Sequence, residues 1–267
     1  MRKVLLQILI FSAIFIVISN LTRFLMWLHF IPQNADATKL LKMYLFGSYH
    51  DVRFLSAAFL PLLLCGFLSY FAPLLKIKGG GGVRFYSLIS GLYISLVAIL
   101  CVAFSFIKYY YYEMYKSKID MFIFNVQDEE FGTIFEIIWS NYPIIFALFV
   151  LVLAVGVCIL INHKILKINL KPIRLNFFIL IVLNFILIGI YVLALRGPYH
   201  QILMNERNYR FANLEMINDI ALNPIMAFSW ALKTSKELFH FRLQRLIIPK
   251  INRTFFLILW KVLRIMP

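Results

Sequence analysis

Apolar residues in this chain run in long unbroken stretches separated by short polar loops. They neither alternate with period two nor keep to one helical face, which is the pattern of segments surrounded by apolar material on all sides. The hydrocarbon core of a bilayer takes a helix of about 20 such residues, so the pattern predicts membrane-spanning helices. The first stretch runs from Val4 to about Ser19 and resumes, after a polar break at Asn20, Thr22 and Arg23, from Phe24 to Phe30. The others are Phe54 to Leu75, Phe85 to Ile107, Pro143 to Ile161 and Leu175 to Leu195. Arg2 and Lys3 followed by an apolar run resemble the start of a signal peptide. No small-x-small cleavage site follows, and apolar character resumes beyond Arg23, which predicts an uncleaved anchor. The expected fold class is therefore all-α integral membrane, with five transmembrane helices plus interfacial amphipathic helices.

The segments between these stretches carry shorter signals. Asp36 to Asp51, DATKLLKMYLFGSYHD, is amphipathic and is expected to lie in the headgroup plane ahead of the second span. Between Lys116 and Tyr142, Phe131, Ile134, Phe135 and Ile138 recur at helical spacing. Asp128, Glu129 and Glu130 precede that stripe, where acids favour a helix N-terminus. Trp139 and Tyr142 mark the return into the membrane. This predicts an interfacial helix; a docking surface for an extracytoplasmic domain or a lipid headgroup is the sharper alternative. After the fifth span Gly197-Pro198 ends the helix. Asn213 to Leu222 reads as helical, with Leu214, Ile217 and Ala221 on one side. Asn223-Pro224 opens another short helix, Asn as its cap and Pro in its first turn. Asn223 is thus a cap before it is a substrate contact.

Composition agrees. Of the 267 residues 62% are hydrophobic and 15% charged, with a mean hydropathy of +0.84. A soluble domain is about half apolar and about a quarter charged, so lipid has to be the solvent. Lys and Arg number 27 against 12 Asp and Glu, a net charge of +15. The basic residues are split among short loops and chain ends rather than forming a groove with interleaved aromatics, which argues against nucleic-acid binding. Their distribution sets an orientation instead. Arg2 and Lys3, then Lys76, Lys78 and Arg84, then Lys164, Lys167, Lys171 and Arg174 share one side if the spans alternate. The loop between spans three and four carries Asp120, Asp128, Glu129, Glu130 and Glu136. The N-terminus is expected in the cytoplasm and the chain from Arg196 onward outside.

Candidate chemistry is sparse. Cys65, Cys101 and Cys158 each sit in an apolar run and read as small hydrophobes. Of His29, His50, His163, His200 and His240, no pair has metal-ligand spacing. The glycines Gly79 to Gly82 follow a span and lack the Lys-Ser/Thr of a phosphate loop, so they read as a flexible cytoplasmic turn. No Ser-His-Asp set or carboxylate pair can be assembled on one side. No span so delimited carries an ionisable residue near its middle, and Asn184 is the one strongly polar side chain deep in an apolar run. Transporters usually place ionisable groups at midplane and show two similar halves with broken helices; both signs are missing here. A small polytopic transporter and an envelope-assembly factor without catalytic activity remain the alternatives.

Four stretches, in order, carry a resemblance. They are Gly47–Arg53 (GSYHDVR), Lys108–Glu129 (KYYYYEMYKSKIDMFIFNVQDE), Glu136–Pro143 (EIIWSNYP), and Arg196-Gly197 with Asn213–Lys233 (NLEMINDIALNPIMAFSWALK). With five spans among them, the chain resembles the N-terminal membrane domain of the lipoteichoic acid synthase and phosphoglycerol transferase family, within the alkaline phosphatase/sulfatase superfamily. The resemblance covers nearly all of residues 1–233 and implies five helices anchoring an outer catalytic domain. In that family a metal-activated Thr of the outer domain cleaves a lipid headgroup phosphodiester and passes phosphoglycerol to an acceptor.

The chain departs from the family after Lys233, where about thirty residues remain, too few for an independent domain. PKINRTFFLIL, Pro249 to Leu259, resembles the first catalytic-domain strand, which in the family continues Met-Glu-Ser-Phe with the Glu as metal ligand. Here Trp260-Lys261-Val262-Leu263 follows. Codons for Met-Glu-Ser-Phe read one base out of phase give Trp-Lys-Val, so a frameshift just before the first metal ligand is expected. The competing reading is a basic amphipathic tail, with Phe255, Leu259 and Leu263 inward and Lys261 and Arg264 outward. The expected organisation is a five-helix transmembrane domain over 1–197, then extracytoplasmic juxtamembrane helices and the truncated start of a missing catalytic domain over 198–267.

The resemblance thus implies the anchor of a phosphoglycerol-type transferase in the bacterial inner membrane, inactive alone. The catalytic and metal residues, with a Mn-, Mg- or Zn-type ion, belong to the missing domain. The expected partners are membrane lipid and a separate extracytoplasmic catalytic domain. If residues of this chain touch substrate, Asp51, Arg53 and Arg196 are the candidates, at outer span ends where Arg pairs with a lipid phosphate. Local ion pairing and snorkelling compete with that role.

Overall fold

A computed structural model describes residues 2–31, 37–68, 80–128, 131–168, 177–196 and 210–237. Its elements are α1 (Arg2–Phe30), α2 (Ala37–Leu68), α3 (Gly80–Tyr115), a 3-10 helix (Met121–Asp128), α4 (Phe131–Asn141), α5 (Ile144–Lys167), α6 (Phe177–Arg196) and α7 (Glu215–Ala221). A further helix, α8, covers 224–237. Among the described residues all regular structure is helical. Four helices, α1, α2, α3 and α5, are long and apolar enough to cross a membrane, and α6 adds a shorter apolar stretch, Val182–Arg196. The fold is that of an all-α membrane protein.

Three of these helices run further than the apolar pattern suggests. α1 passes through Asn20, Thr22 and Arg23 without a break. In lipid the backbone must satisfy its own hydrogen bonds, so a few polar side chains do not interrupt a helix, and α2 likewise runs on through Pro61. α2, with 32 residues, is about 48 Å long at the helical rise. It absorbs the amphipathic segment before span two, which is therefore the first half of one continuous helix rather than a separate element in the headgroup plane. α3 begins at Gly80, so Gly80, Gly81 and Gly82 form its first turn and are not the flexible turn expected of them. Gly79 lies outside the described residues, as do Gly197, Pro198 and the tail from 238 with Phe255, Leu259 and Leu263.

Side-chain contacts fix which helix ends lie together. Lys3 Nζ donates to the Leu166 carbonyl at 2.6 Å, joining the start of α1 to the end of α5. Arg23, in the last third of α1, bonds to the Ala221 carbonyl at the end of α7. The chain therefore changes ends between Lys167 and Glu215, and α6 is the element available for the crossing. Its Tyr191 hydroxyl donates to the Ser56 carbonyl of α2 at 2.5 Å.

Two cores are stacked along the bundle. Phe11, Phe15, Leu55, Phe59, Ile94, Val97, Ala98, Cys101 and Cys158 form the first, in the membrane-spanning part. Phe15 and Phe59 stack with ring centroids 6.2 Å apart. Cys101 and Cys158 are buried free thiols there and Cys65 is an exposed one. Towards the end of the bundle away from the N-terminus (the distal end), Met26, Met43 and Tyr112 enclose Ile217, Ile220 and Ala221. Tyr111 and Ile119 continue this second core around Leu222 and Ala227. α5 and α6 turn apolar side chains such as Phe149 and Phe185 outward, as lipid-facing helices do. The helix expected between 116 and 142 forms as α4. Ile138 is exposed, while the side chains of Phe131, Ile134 and Phe135 lie outside those described. Tyr142 donates to Met114 Sδ at 3.6 Å where the chain turns into α5.

Candidate functional site

Charged groups converge at the distal end, between the two cores. Arg23 on α1 is 1% exposed. Its Nη1 and Nη2 grip both carboxylate oxygens of Asp51 on α2, at 2.6 and 2.9 Å. The remaining donors go to Asn20 Oδ1 at 2.9 Å, the Gly47 carbonyl at 3.0 Å and the Ala221 carbonyl at 3.2 Å. A guanidinium has five N–H donors, and all are used. Such a bidentate pair is a strong hydrogen-bonded ion pair, and here it lies inside the protein.

Gly47 makes that approach possible. A Cβ at position 47 would lie 2.6 Å from Arg23 Cζ and 2.9 Å from the Ala221 carbonyl oxygen. Glycine lets the guanidinium lie directly on the α2 backbone, the close approach for which a missing side chain is required.

The same cluster closes two helix ends of the distal segment. Lys108 on α3 donates from Nζ to the Ile220 carbonyl at 2.5 Å and the Leu222 carbonyl at 2.8 Å. With Arg23 on Ala221, two buried cations sit on the carbonyl end of α7, where unpaired acceptors and the helix dipole both favour positive charge. Asp51 Oδ1 also accepts from Asn223 Nδ2 at 2.7 Å. Asn223 Oδ1 in turn accepts from the Ile225 and Met226 amides, capping α8. Asn223 is thus the predicted cap and also a ligand of the membrane bundle. Arg23 and Lys108 are balanced in sign by Asp51 and Asp219, all four buried.

Around this joint, Asn218 fastens 211–214 to α7. Its Oδ1 accepts from the Phe211 and Ala212 amides at 2.9 Å, and its Nδ2 donates to the Ala212 carbonyl at 2.7 Å. Tyr111 donates to Asp120 Oδ1 at 2.5 Å, and Asp120 also accepts from the Phe122 amide. Lys116, at φ 52°, ends α3 in the left-handed region and lays its ammonium over the Phe30 ring. A cavity of about 10 Å³ lies beside Lys108, Ser117 and Asp219, room for about one water molecule. His50 is 2% exposed, and its Nδ1 has no hydrogen-bond partner among the described residues.

Of the residues expected to meet substrate, Asp51 is at the centre of the cluster, with both oxygens engaged inside the protein. Arg53, two residues along the helix, is half-buried, and Arg196 is exposed at the end of α6. The sequence reading of ionisable residues is corrected in one respect. Arg23, Asp51 and Lys108 fall at the edges of the apolar stretches but are built into the continuous helices α1, α2 and α3, buried. Arg23, Lys108, His50 and Asp219 were not singled out as site residues. The available signal was Arg23 as a lone cation within an apolar helix, since such residues seldom lack a dedicated partner.

A second, neutral polar layer lies near the N-terminal end. Gln7 Nε2 donates to Asn162 Oδ1 at 2.5 Å, and Tyr86 donates to Gln7 Oε1 at 2.8 Å. Asn162 Nδ2 reaches Ser90 Oγ at 3.4 Å. Among the described residues no three His, Cys, Asp or Glu side chains come together as a metal site. Compared with known protein families, characterised proteins and solved structures, the chain finds no match.

Proposed function

We propose that this chain is the membrane domain of a lipid-headgroup transferase of the phosphoglycerol type, which holds an extracytoplasmic catalytic partner against the bilayer. The observation that supports this reading is a convergence. Three of the four stretches that carry the resemblance supply the distal cluster: Gly47 and Asp51 from the first, Lys108 from the second, and Asn218, Asp219 and Asn223 from the last. Stretches far apart in sequence meet in a joint that fixes the post-membrane helices to the bundle. That is the construction an anchor needs if it is to present a catalytic domain at a set height above lipid.

In this reading the membrane is the bacterial inner membrane and the N-terminus is cytoplasmic, because Arg2, Lys3, Lys164 and Lys167 gather at the end opposite the cluster. Arg53 and Arg196 are the groups of this chain offered to a lipid phosphate. Asp51 acts by holding Arg23. A metal ion belongs to the partner. The transporter alternative has buried charges in its favour, but they are hydrogen-bonded to one another and to helix ends beside a cavity of about 10 Å³.

The test reads the DNA downstream of the gene and assays the purified chain in vesicles containing headgroup-labelled phosphatidylglycerol. A sulfatase-like domain in another frame or an adjacent gene, and headgroup release only when that domain is added, is the expected result. Headgroup release by the chain alone, or solute uptake into the vesicles, overturns the reading.

A further inference from the structure

The distal cluster is divided between two partners. The bundle contributes Arg23, Asp51 and Lys108. The other partner is 210–237, and its contribution is two helix ends: the carbonyls of Ile220, Ala221 and Leu222, and the cap residue Asn223. Inside 210–237, Asn218 ties 211–214 to α7, and Asn223 joins α7 to α8, so this piece has its own internal order. Apolar contact surrounds the polar joint, with Ile217 and Ile220 against Met26 and Met43, and Leu222 and Ala227 against Tyr111 and Ile119.

We propose that the distal end of the bundle is a receptor socket for the α7–α8 unit, and that the socket's contacts hold the unit on the bundle independently of the covalent connection through 197–209. Lys108 carries the argument furthest. Arg23 has a carboxylate partner within the bundle. Both hydrogen bonds of buried Lys108 go to carbonyls of the unit, which makes the unit the ligand that satisfies it. A buried ammonium without such acceptors is strongly unfavourable, so bundle and unit are completed by each other. The partner the socket fits is therefore chemically specific: a helix C-terminus with free carbonyls, followed at once by an Asn-capped helix. The inference stands whether or not a catalytic partner exists.

The experiment uses the full chain with an N-terminal affinity tag and a protease site inserted between positions 203 and 204. After cleavage in detergent, the distal fragment should remain with the tagged bundle in equal amount. Lys108→Met removes the two bonds and the charge from the socket side, and Asn223→Ala removes the Asp51 contact and the α8 cap from the unit side. Each should release the fragment at least about tenfold faster during washing. Asn223→Ala leaves the Arg23–Asp51 pair in place, so its result holds even if Lys108→Met disturbs the bundle. Gln7→Leu, in the neutral layer, should retain the fragment. Loss of the fragment from the cleaved wild-type chain overturns the proposal. So does retention by both the Lys108→Met and the Asn223→Ala chains, or release by Gln7→Leu equal to theirs.

Discussion

The two polar layers of this bundle are built on different rules. Near the N-terminal end Gln7, Tyr86, Ser90 and Asn162 join α1, α3 and α5 through neutral groups. About 24 Å further along α1, at the helical rise, the second layer is charged and draws on Arg23, Asp51, Lys108 and Asp219. An amide or hydroxyl in lipid needs one good partner, and a neighbouring spanning helix supplies it. A charge needs several, and three spanning helices do not have enough acceptors to spare. The distal layer obtains the rest from helix ends, whose carbonyls and amides are unpaired by construction. Among the described residues, buried charge at one end of the bundle thus goes together with an inserted helical segment, and a neutral layer at the other with spanning helices alone.

The charged layer depends most heavily on Asp51. Asp51→Ala leaves Arg23 buried with its two carboxylate bonds gone, and should cost about 3–5 kcal/mol, enough to depopulate the fold in detergent. Thermal unfolding followed by tryptophan fluorescence reads this directly, and a double variant with Arg23→Met should recover most of the loss. If the single variant melts like wild type, the pair is not the structural centre of the distal layer. Gly47→Ala comes next, because the added methyl falls on Arg23 and the Ala221 carbonyl and should destabilise by about 1–3 kcal/mol. Its signature is protease sensitivity confined to 210–237; uniform sensitivity along the chain would argue against a local clash.

The neutral layer should respond more weakly. Gln7→Leu removes the bonds to Asn162 and Tyr86, and the loss should be about 0.6–1.7 kcal/mol, the usual range for hydrogen bonds between membrane helices. Denaturation in mixed micelles of rising SDS fraction would sharpen the comparison, since a loss as large as that of Asp51→Ala would erase the distinction between the layers. The smallest effect belongs to the exposed pair Arg210–Glu215, 2.9 Å apart with side chains 62% and 69% exposed. Glu215→Gln should shift stability by less than about 1 kcal/mol. That shift should vanish in high salt, whereas the effect of Asp51→Ala should persist.

Much of the fold was legible because lipid imposes a simple rule. Long apolar stretches become helices: the run Phe85–Ile107 lies within α3, and the run Pro143–Ile161 starts at the cap residue of α5 and continues within it. The Asn223-Pro224 cap was equally local, since an Asx side chain reaches amides two and three residues on whatever surrounds it. Asp51 stands out in the sequence for its position at a span edge, with local ion pairing as one of its two readings, and the pair with Arg23 is that local reading realised inside the protein. Nothing local says that an acid at the end of an amphipathic stretch turns inward to meet an arginine twenty-eight residues earlier. The glycines at 80–82 were misread for a related reason. Glycine favours a turn in water, but a backbone about to enter lipid keeps its hydrogen bonds internal.

From the residues alone come the class of solvent, the helical content and the local stops and caps. Each depends on composition over about twenty residues or on neighbours within four positions, and the chain carries that information directly. Which charges are buried, and what they hold, follows only from the packing of distant segments. Arg23, Asp51, Lys108 and Asn223 are separated by up to two hundred positions, and their geometry arises when α1, α2 and α3 extend beyond the first core and the α7–α8 unit packs among their ends. Burial makes those groups consequential, because a charge at the protein surface is satisfied by water and a charge in this joint only by the atoms the fold brings to it.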